Sequence, residues 1–270
     1  MLIFSPYKRA YRILRNEGIR ELGHSILAYI TNAVLLPSTK IRFRAFRYRL
    51  RGHPGVGDPL RVYEVPMSDL NYCITSSEFP ERINGFKISD ASWDSDAIPI
   101  ESFPLFVMSK KHFEQDIPWE KTERFKRRRE KLETEGSFGE LDLSPEQQSI
   151  DAYREYLDYL DFLYESIKNN GYKRQSELSP ESDFLNRDHQ HPALGEIGVF
   201  IGRDGKIIAR SGLHRACFAK LIGVESVPVR TVVRHESWQE IRDEIATTPR
   251  TELSERAKRH LSHPELQDLL

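Results

Sequence analysis

The stretch EIGVFIGRDGKIIARSGLHRACFAKLIGVESVPVRTVV, residues 196–233, decides the fold of this chain. Two apolar runs flank Asp204-Gly205, a dipeptide typical of tight hairpin turns, and they predict two antiparallel strands. A helix is expected from about Leu213 to Ile222, with Gly223 as its stop. The run Ser226–His235 predicts a third strand. This order of elements is typical of a mixed α+β domain.

The turn Ser211–Arg215 joins the second strand to this helix and forms a candidate anion site. Backbone N–H groups in a first helical turn have no partner inside the helix, and the helix dipole adds to their attraction for anions. Gly212 has no Cβ to keep a ligand away, and Ser211 can cap the helix or donate to an oxygen. His214 can donate to phosphate or relay a proton, and Arg215 offers a planar charged fork. The alternative is an ordinary capped helix whose polar side chains are structural or solvated.

Helical periodicity is clearest in residues 144–172, where Ser144 and Gln147 form a capping box and Gly171 ends the helix. The other expected elements are a first strand at Leu60–Met67, a charged helix at Pro118–Glu133, a closing helix at Ser237–Ile245 with a capping box from Ser237 to Glu240, and a weak helix from Thr248. The charged helix contains the basic run KRRREK, but glutamates offset it, so it predicts a solvated helix face.

The chain is expected to divide into four parts. They are a basic arm with a linker (1–57), a first core strand with an elaboration (58–140), the core (141–247) and a tail (248–270). Residues 1–53 contain eleven Lys and Arg against two acids, a net +9, which leaves −10 for the remainder of a chain whose total charge is −1. A basic leader on an acidic body predicts an anionic partner for the leader.

Residues 7–51 predict a basic amphipathic helical arm, because apolar and aromatic side chains alternate with arginines there. Such an arm suits an anionic membrane surface. It also suits a nucleic-acid backbone, or docking on the body of the protein with solvated arginines. The acidic body argues against nucleic acid. The arm therefore leaves peripheral membrane contact and docking as the two favoured interpretations.

Several protein classes are disfavoured by the composition. Cys73 and Cys217 are far apart and lack metal-ligand spacing, which argues against a disulfide scaffold or a zinc site. No signal peptide is predicted, and no apolar run reaches the roughly 18 residues expected of a spanning helix. The clusters WDSD (93–96) and DHQH (188–191) are interpreted as a solvated turn and an incidental pair of histidines, so no metal site is predicted. A cytoplasmic protein, peripheral on the inner face of the membrane, is expected.

Several motifs occur here in an order found in one superfamily. They are Ser166-Ile167 followed by Gly171, then Asp204-Gly205, Gly212–Ala219 and Gly223–Val229, with an early strand at Leu60–Leu70. This order resembles the ParB/sulfiredoxin-type domain over roughly residues 157–235. The resemblance implies an α+β fold in which a small mixed sheet is flanked by helices.

Branches of this superfamily differ at the turn before the helix. Sulfiredoxins carry Gly-Cys-His-Arg, but Leu213 stands at the cysteine position here and Cys217 follows four residues later, so sulfinic-acid repair is not expected. ParB proteins usually carry Gly-Glu-Arg-Arg, bind CTP and continue into a helix-turn-helix domain, which no pattern after His235 suggests. Free serine kinases carry a Gly-x-His-Arg turn similar to the one here. The resemblance therefore implies that nucleotide phosphates bind to Ser211, Gly212, Leu213, His214, Arg215 and Lys220.

The expected function is a nucleotide-binding phosphotransferase of kinase type, or a nucleotide hydrolase. It would use ATP or CTP, with ADP as an alternative, together with Mg²⁺, and its acceptor would be a small molecule, a glycan or a lipid-linked compound at a membrane surface. The candidate catalytic residues are His214 and the acids Glu196 and Glu165, with Asp183 and Asp188 as further candidates for the base. Two other classes stay open: a ParB-like DNA-associated protein, and a non-catalytic domain that binds a ligand or a partner.

Overall fold

A computed structural model describes residues 37–74, 85–136, 149–178 and 191–270. Over these ranges the chain forms a mixed seven-stranded sheet and seven α-helices, so the predicted α+β class is confirmed. The strands are β1 Val62–Pro66, β2 Tyr72–Cys73, β3 Lys87–Ser89, β4 Ile98–Pro99, β5 Ile197–Ile201, β6 Ile207–Ala209 and β7 Ser226–His235. The helices are α1 Pro37–Leu50, α2 Pro104–Gln115, α3 Glu123–Glu135, α4 Ile150–Asn170, α5 Leu213–Ile222, α6 Glu236–Thr247 and α7 Glu255–Lys258.

Strand β7 lies at the centre of the core. Every residue from Val227 to His235 is buried, as expected for a β-branched run covered on both faces. β5 runs parallel to β7, while β1 pairs antiparallel with the first half of β7. β3 pairs in parallel with the last three residues of β7. The strand order β1-β7-β5-β6-β2-β4 places the predicted hairpin β5–β6 next to this central strand.

The hairpin turn confirms the interpretation of Asp204-Gly205. Gly205 has a φ of +84°, a backbone conformation that glycine adopts without strain. A Cβ at this position would also lie 2.6 Å from Cζ3 of Trp238. The turn therefore requires glycine for two reasons, its backbone angle and its contact with the indole ring of α6.

Helix α5 packs behind the sheet, and its bounds are as predicted. Its buried side chains include Ala216, Cys217 and Phe218. The ring of Phe218 meets Phe113 of α2 and Tyr164 of α4 edge-on, with centroid distances of 5.6 and 5.7 Å. These contacts hold α5 between α2 and α4, and they set the position of its N-terminus.

Two predicted helix caps differ from the structure. Helix α4 begins at Ile150 with Ser149 as its cap, and the predicted cap Ser144 lies outside the described residues. The predicted capping box from Ser237 to Glu240 is wrong, because α6 already begins at Glu236. Its cap is His235, whose ring nitrogen accepts from the N–H of Ser237. β7 runs directly into α6, so the last strand residue has the extended backbone that a cap needs.

The C-terminal tail is packed onto the body. Leu253 before the short helix α7, Ala257 within it and Leu266 beyond it are all buried. Glu265 is 1% exposed and forms ion pairs with Arg234 and Arg242 at 2.6 and 2.8 Å. The tail was expected only as a weak helix; these buried charges, which are far apart in sequence, hold it in place.

The turn Trp93–Asp96 is a short 3₁₀ helix and differs from the solvated turn that was expected. Asp94 is buried and accepts from Arg203 at 2.7 and 2.8 Å, through both carboxylate oxygens. The guanidinium of Arg203 holds the pKa of Asp94 down at about 2. Asp94 is therefore a structural anchor for the hairpin turn.

None of the helices in the described part of the chain combines the length and the apolar character needed to cross a bilayer. Residues 7–36 of the predicted helical arm lie outside the described residues, and α1, Pro37–Leu50, lies in the remainder of the arm.

Candidate functional site at the N-terminus of helix α5

The turn between β6 and α5 is held by β5. The N–H groups of Arg210 and Ser211 both donate to the carbonyl oxygen of Gly198, at 2.8 and 3.2 Å. The hydroxyl of Ser211 accepts from the N–H of Gly198 at 3.1 Å. A Cβ at Gly198 would lie 2.3 Å from that hydroxyl oxygen, so glycine is needed there. Ser211 therefore fastens the turn to the sheet and does not cap α5.

The first turn of α5 presents unbonded donors. Its cap is Gly212, which has a φ of +67° and no side chain to accept a hydrogen bond. Within the described ranges, the backbone N–H groups of Leu213, His214 and Arg215 have no hydrogen-bond acceptor. Three such groups at the positive end of a ten-residue helix favour a bound anion.

Arg215 lies across Gly212. A Cβ at Gly212 would be 3.0 Å from Nη2 of Arg215 and 3.2 Å from Cα of Ile197. The same Nη2 donates to the carbonyl oxygen of Gly195. The guanidinium of Arg215 therefore occupies the space beside Gly212, next to the first turn of α5.

Glu196 is buried behind Arg215. Its carboxylate is 3% exposed, accepts from the N–H of Gln175 at 2.7 Å and lies 3.9 Å from Nη1 of Arg215. Burial raises the pKa of Glu196, although the bond from Gln175 and the charge of Arg215 act against the rise. Glu196 therefore lies next to Arg215, and its role is to position the Arg215 guanidinium.

His214 is joined to α4. Its Nε2 is hydrogen-bonded to the hydroxyl of Tyr156, and the two rings meet edge-on with centroids 5.7 Å apart. Burial, together with the positive charges of Arg124, Arg215 and Arg128, lowers the pKa of His214 to about 4. His214 is therefore a neutral imidazole at neutral pH, able to donate from one nitrogen and accept at the other.

Two arginines of α3, Arg124 and Arg128, also belong to this site. They were not predicted from the sequence. Both are half-buried, four residues apart on one face of α3, and their charges act on His214. The guanidinium of Arg128 lies 4.5 Å from the ring centre of Tyr153, which stacks on Tyr156. The predicted solvated face describes the remaining basic residues of α3. Arg127 is exposed, and the other three pair with glutamates of the same helix: Lys126 with Glu123, Arg129 with Glu133 and Lys131 with Glu135. The i, i+4 spacing of Arg124 and Arg128 on one helix face was the available signal.

Two predicted site residues lie elsewhere. Lys220 donates to Oδ1 of Asn71 at 2.9 Å and lies 3.8 Å from Glu101, at the far end of α5. Glu165 is exposed, and its carboxylate accepts from Lys168 and Asn169 of its own helix.

The loop candidates Asp183 and Asp188, and His189 of the DHQH cluster, lie outside the described residues. His191 is described, and it caps the turn at residues 192–195 by accepting from the N–H of Ala193.

The cysteine on α5 is not a nucleophile in this fold. Cys217 is 1% exposed, and burial raises the pKa of its thiol well above the usual range. Across the described residues, no group of three or more His, Cys, Asp and Glu side chains is placed to hold a metal ion. The carboxylate nearest the turn, Glu196, is buried against Arg215, so it does not fit a protein-held Mg²⁺ ion.

A cavity of about 40 Å³ lies beside Arg215, between the end of α4 and Gln175. Its lining is mostly apolar and includes Leu163, Ile167 and Tyr172. Burial raises the pKa of the Tyr172 hydroxyl to about 12, so it stays protonated. A cavity of this size holds a few water molecules or one small substituent.

In comparisons with known proteins, no family matches this chain, and neither a curated protein nor a solved structure matches it. The resemblance to the ParB/sulfiredoxin-type domain therefore stays a prediction from the sequence motifs.

Proposed function

We propose that this protein binds a nucleoside triphosphate at the N-terminus of α5 and transfers the terminal phosphoryl group to a hydroxyl acceptor or to water. The observation that carries the proposal is the set of three unbonded N–H groups at residues 213–215, which include those of Arg215 and of His214, the residue on which the charges of Arg124 and Arg128 act. Helix termini and arginine forks both favour phosphate oxygens. The Gly-x-His-Arg turn adds support, because it is the part of the chain that resembles nucleotide-binding proteins.

Each group of the site would have its own role in phosphoryl transfer. The N–H groups of α5 would hold phosphate oxygens, and Arg124 and Arg128 would offset the charge on the transferred group. The acceptor oxygen forms a bond to the terminal phosphorus, the bond from that phosphorus to its bridging oxygen breaks, and the nucleoside diphosphate leaves. Neutral His214 would take the proton of the acceptor. Mg²⁺ would arrive with the nucleotide, held by its phosphates.

Calorimetric titration of ATP, ADP and CTP, each with Mg²⁺, into the full chain tests the binding. We expect one of the triphosphates to bind, and Arg124→Ala to weaken its affinity by about tenfold or more, the cost of one charged hydrogen bond. Arg127→Ala is the matched control, because Arg127 is an exposed arginine of the same helix and its removal changes the net charge equally. We expect it to bind as the wild type does.

Release of phosphate from the bound triphosphate tests the transfer. We expect turnover by the wild type and a loss of about a hundredfold or more in His214→Ala, which removes the proton acceptor. A folded wild type that binds none of the three nucleotides contradicts the proposal. Equal weakening by Arg124→Ala and Arg127→Ala contradicts the placement at α5, and binding without turnover leaves a non-catalytic ligand-binding domain.

A further inference from the structure

Helix α1 is apolar on two opposite faces. One face docks on the body, where Ile41 and Ala45 are 4% and 2% exposed and pack in a cluster with Phe86 and Leu194. Tyr48 extends this face by accepting from the N–H of Ile88 at 3.3 Å. The docked face accounts for the position of α1, and the apolar residues of the other face take no part in it.

The second apolar face is exposed at Phe46 and Leu50, while Phe43 on the same face is half-buried. At about 100° per residue, Phe46 and Leu50 lie about 140° and 180° around the helix from Ile41. They are 51% and 71% exposed, and Leu50 is the most exposed of the large apolar side chains in the described ranges. Four residues separate them, so they form one continuous ridge on the outward side.

Arginines flank this outward ridge on both sides. Arg42 and Arg49 lie on one side, and Arg47 and Arg51 lie on the other. Arg42 lies 3.7 Å from the exposed carboxylate of Asp58. In the part of the chain that the structure describes, the guanidiniums of Arg47 and Arg51 have no hydrogen bond or ion pair. An apolar ridge between two rows of cations is complementary to a surface with an apolar interior and an anionic outer layer.

A second exposed aromatic residue provides a contrast. Phe162 of α4 is 59% exposed, but its neighbours on the same helix face are the acids Asp158 and Glu165. Anionic lipid would be repelled there. Exposure alone therefore does not distinguish the two surfaces, and the sign of the surrounding charge does.

We propose that the outward face of α1 binds the surface of an anionic lipid membrane. Phe46 and Leu50 would enter the boundary between headgroups and acyl chains, while the flanking arginines contact lipid phosphates. A nucleic-acid backbone would use the arginines but would leave Leu50 exposed to water. This inference does not depend on the proposed phosphotransfer, because α1 and α5 are separate surfaces.

Sedimentation of the full chain with phosphatidylcholine vesicles, with and without phosphatidylserine, tests the proposal. We expect binding that requires phosphatidylserine. We expect the pair Phe46→Ser and Leu50→Ser to reduce partitioning by about tenfold or more, because two apolar side chains no longer leave water. The pair Arg47→Glu and Arg51→Glu should reduce it by a similar factor. Phe162→Ser is the matched control and should bind as the wild type does.

Each other outcome overturns the proposal. These are binding that is indifferent to phosphatidylserine, equal binding by the wild type and the Phe46→Ser, Leu50→Ser pair, and an equal loss in Phe162→Ser. Retention of duplex DNA that is lost with Arg47→Glu and Arg51→Glu, but not with the serine pair, assigns the surface to nucleic acid instead. The substituted side chains are all exposed, so we expect circular dichroism to show unchanged folding.

Discussion

His214 combines burial with a surplus of positive charge. It is bonded to Tyr156, while Arg124, Arg128 and Arg215 surround it, and burial with these charges sets its pKa at about 4. This arrangement disfavours an imidazolium as long as no anion is present. A bound phosphate would offset the arginine charges, so the pKa of His214 should rise when a ligand binds.

We predict that Arg124→Ala raises the pKa of His214, because it removes the nearby positive charge that contributes most to the shift. Arg127→Ala is the control and should leave this pKa unchanged, since Arg127 does not act on His214. The measurement is a titration of the imidazole resonances of both variants and the wild type. Identical titration curves for Arg124→Ala and the wild type would contradict the assignment of α3 to the site.

The lowered pKa of His214 makes the stability of the protein depend on pH. The pKa of His214 is about 4 in the folded state and 6.5 as an ordinary value, so the unfolded chain binds more protons between these pH values. The contribution of His214 to stability is therefore present above pH 6.5 and is lost as the pH falls through about 4, by up to ~3 kcal/mol. His214→Gln should show a shallower decline of the unfolding free energy across that window than the wild type.

At the scale of elements, the two ends of α5 are both glycines in the left-handed conformation but differ in their surroundings. Gly212 has a φ of +67° and Gly223 a φ of +82°. A Cβ at Gly223 would have nothing within 4 Å, whereas one at Gly212 would meet Arg215 and Ile197. Gly223 is thus needed only for its backbone angle, and Gly212 also for the approach of a side chain.

We predict that Gly223→Ala lowers the unfolding free energy by about 1–2 kcal/mol, the cost of a left-handed alanine. Gly212→Ala should lower it by more, because the guanidinium of Arg215 must also move. Chemical denaturation of both variants measures the difference. If the two substitutions cost the same, the close approach of Arg215 to Gly212 is not a constraint on the turn.

At the scale of the whole molecule, a buried charge network joins the two ends of the described chain. The carboxylate of Glu265 accepts hydrogen bonds from Arg234, from Arg242 and from the indole N–H of Trp238. Arg242 also donates to the carbonyl oxygen of Gly55. Burial favours the neutral acid, but the two arginines outweigh it and hold the pKa of Glu265 at about 2. The tail, α6 and the segment after α1 are therefore fastened at one point.

We predict that Glu265→Gln lowers the unfolding free energy by about 3–5 kcal/mol, because Arg234 loses its counter-charge and Arg242 keeps only Asp268. Glu252→Gln is the control, since Glu252 is exposed and should change stability by less than about 0.5 kcal/mol. Urea denaturation at neutral pH gives both values. Equal stability of the two variants would mean that the network contributes nothing to holding the tail.

Local sequence patterns were sufficient to predict the elements of the core. Asp204-Gly205, Gly223 and the β-branched run at 226–235 predicted two strands, a helix and a further strand, because turn chemistry and periodicity act over a few residues. The start of α6 was predicted wrongly, at Ser237, because the cap depends on where β7 ends. Local pattern does not contain that information.

Only the tertiary structure decided which side chains share the candidate site. The site combines three helices and the start of β5, with the residues Arg124, Arg128, Tyr156, Glu196 and Arg215. Only Arg124 and Arg128 are related by a spacing in the sequence. Packing of α5 between its neighbouring helices brings the site residues to one turn, and the same packing carries Lys220 away from it. Contacts over long sequence separations follow from how apolar faces fill a common core, which is a property of the whole fold and not of any one segment.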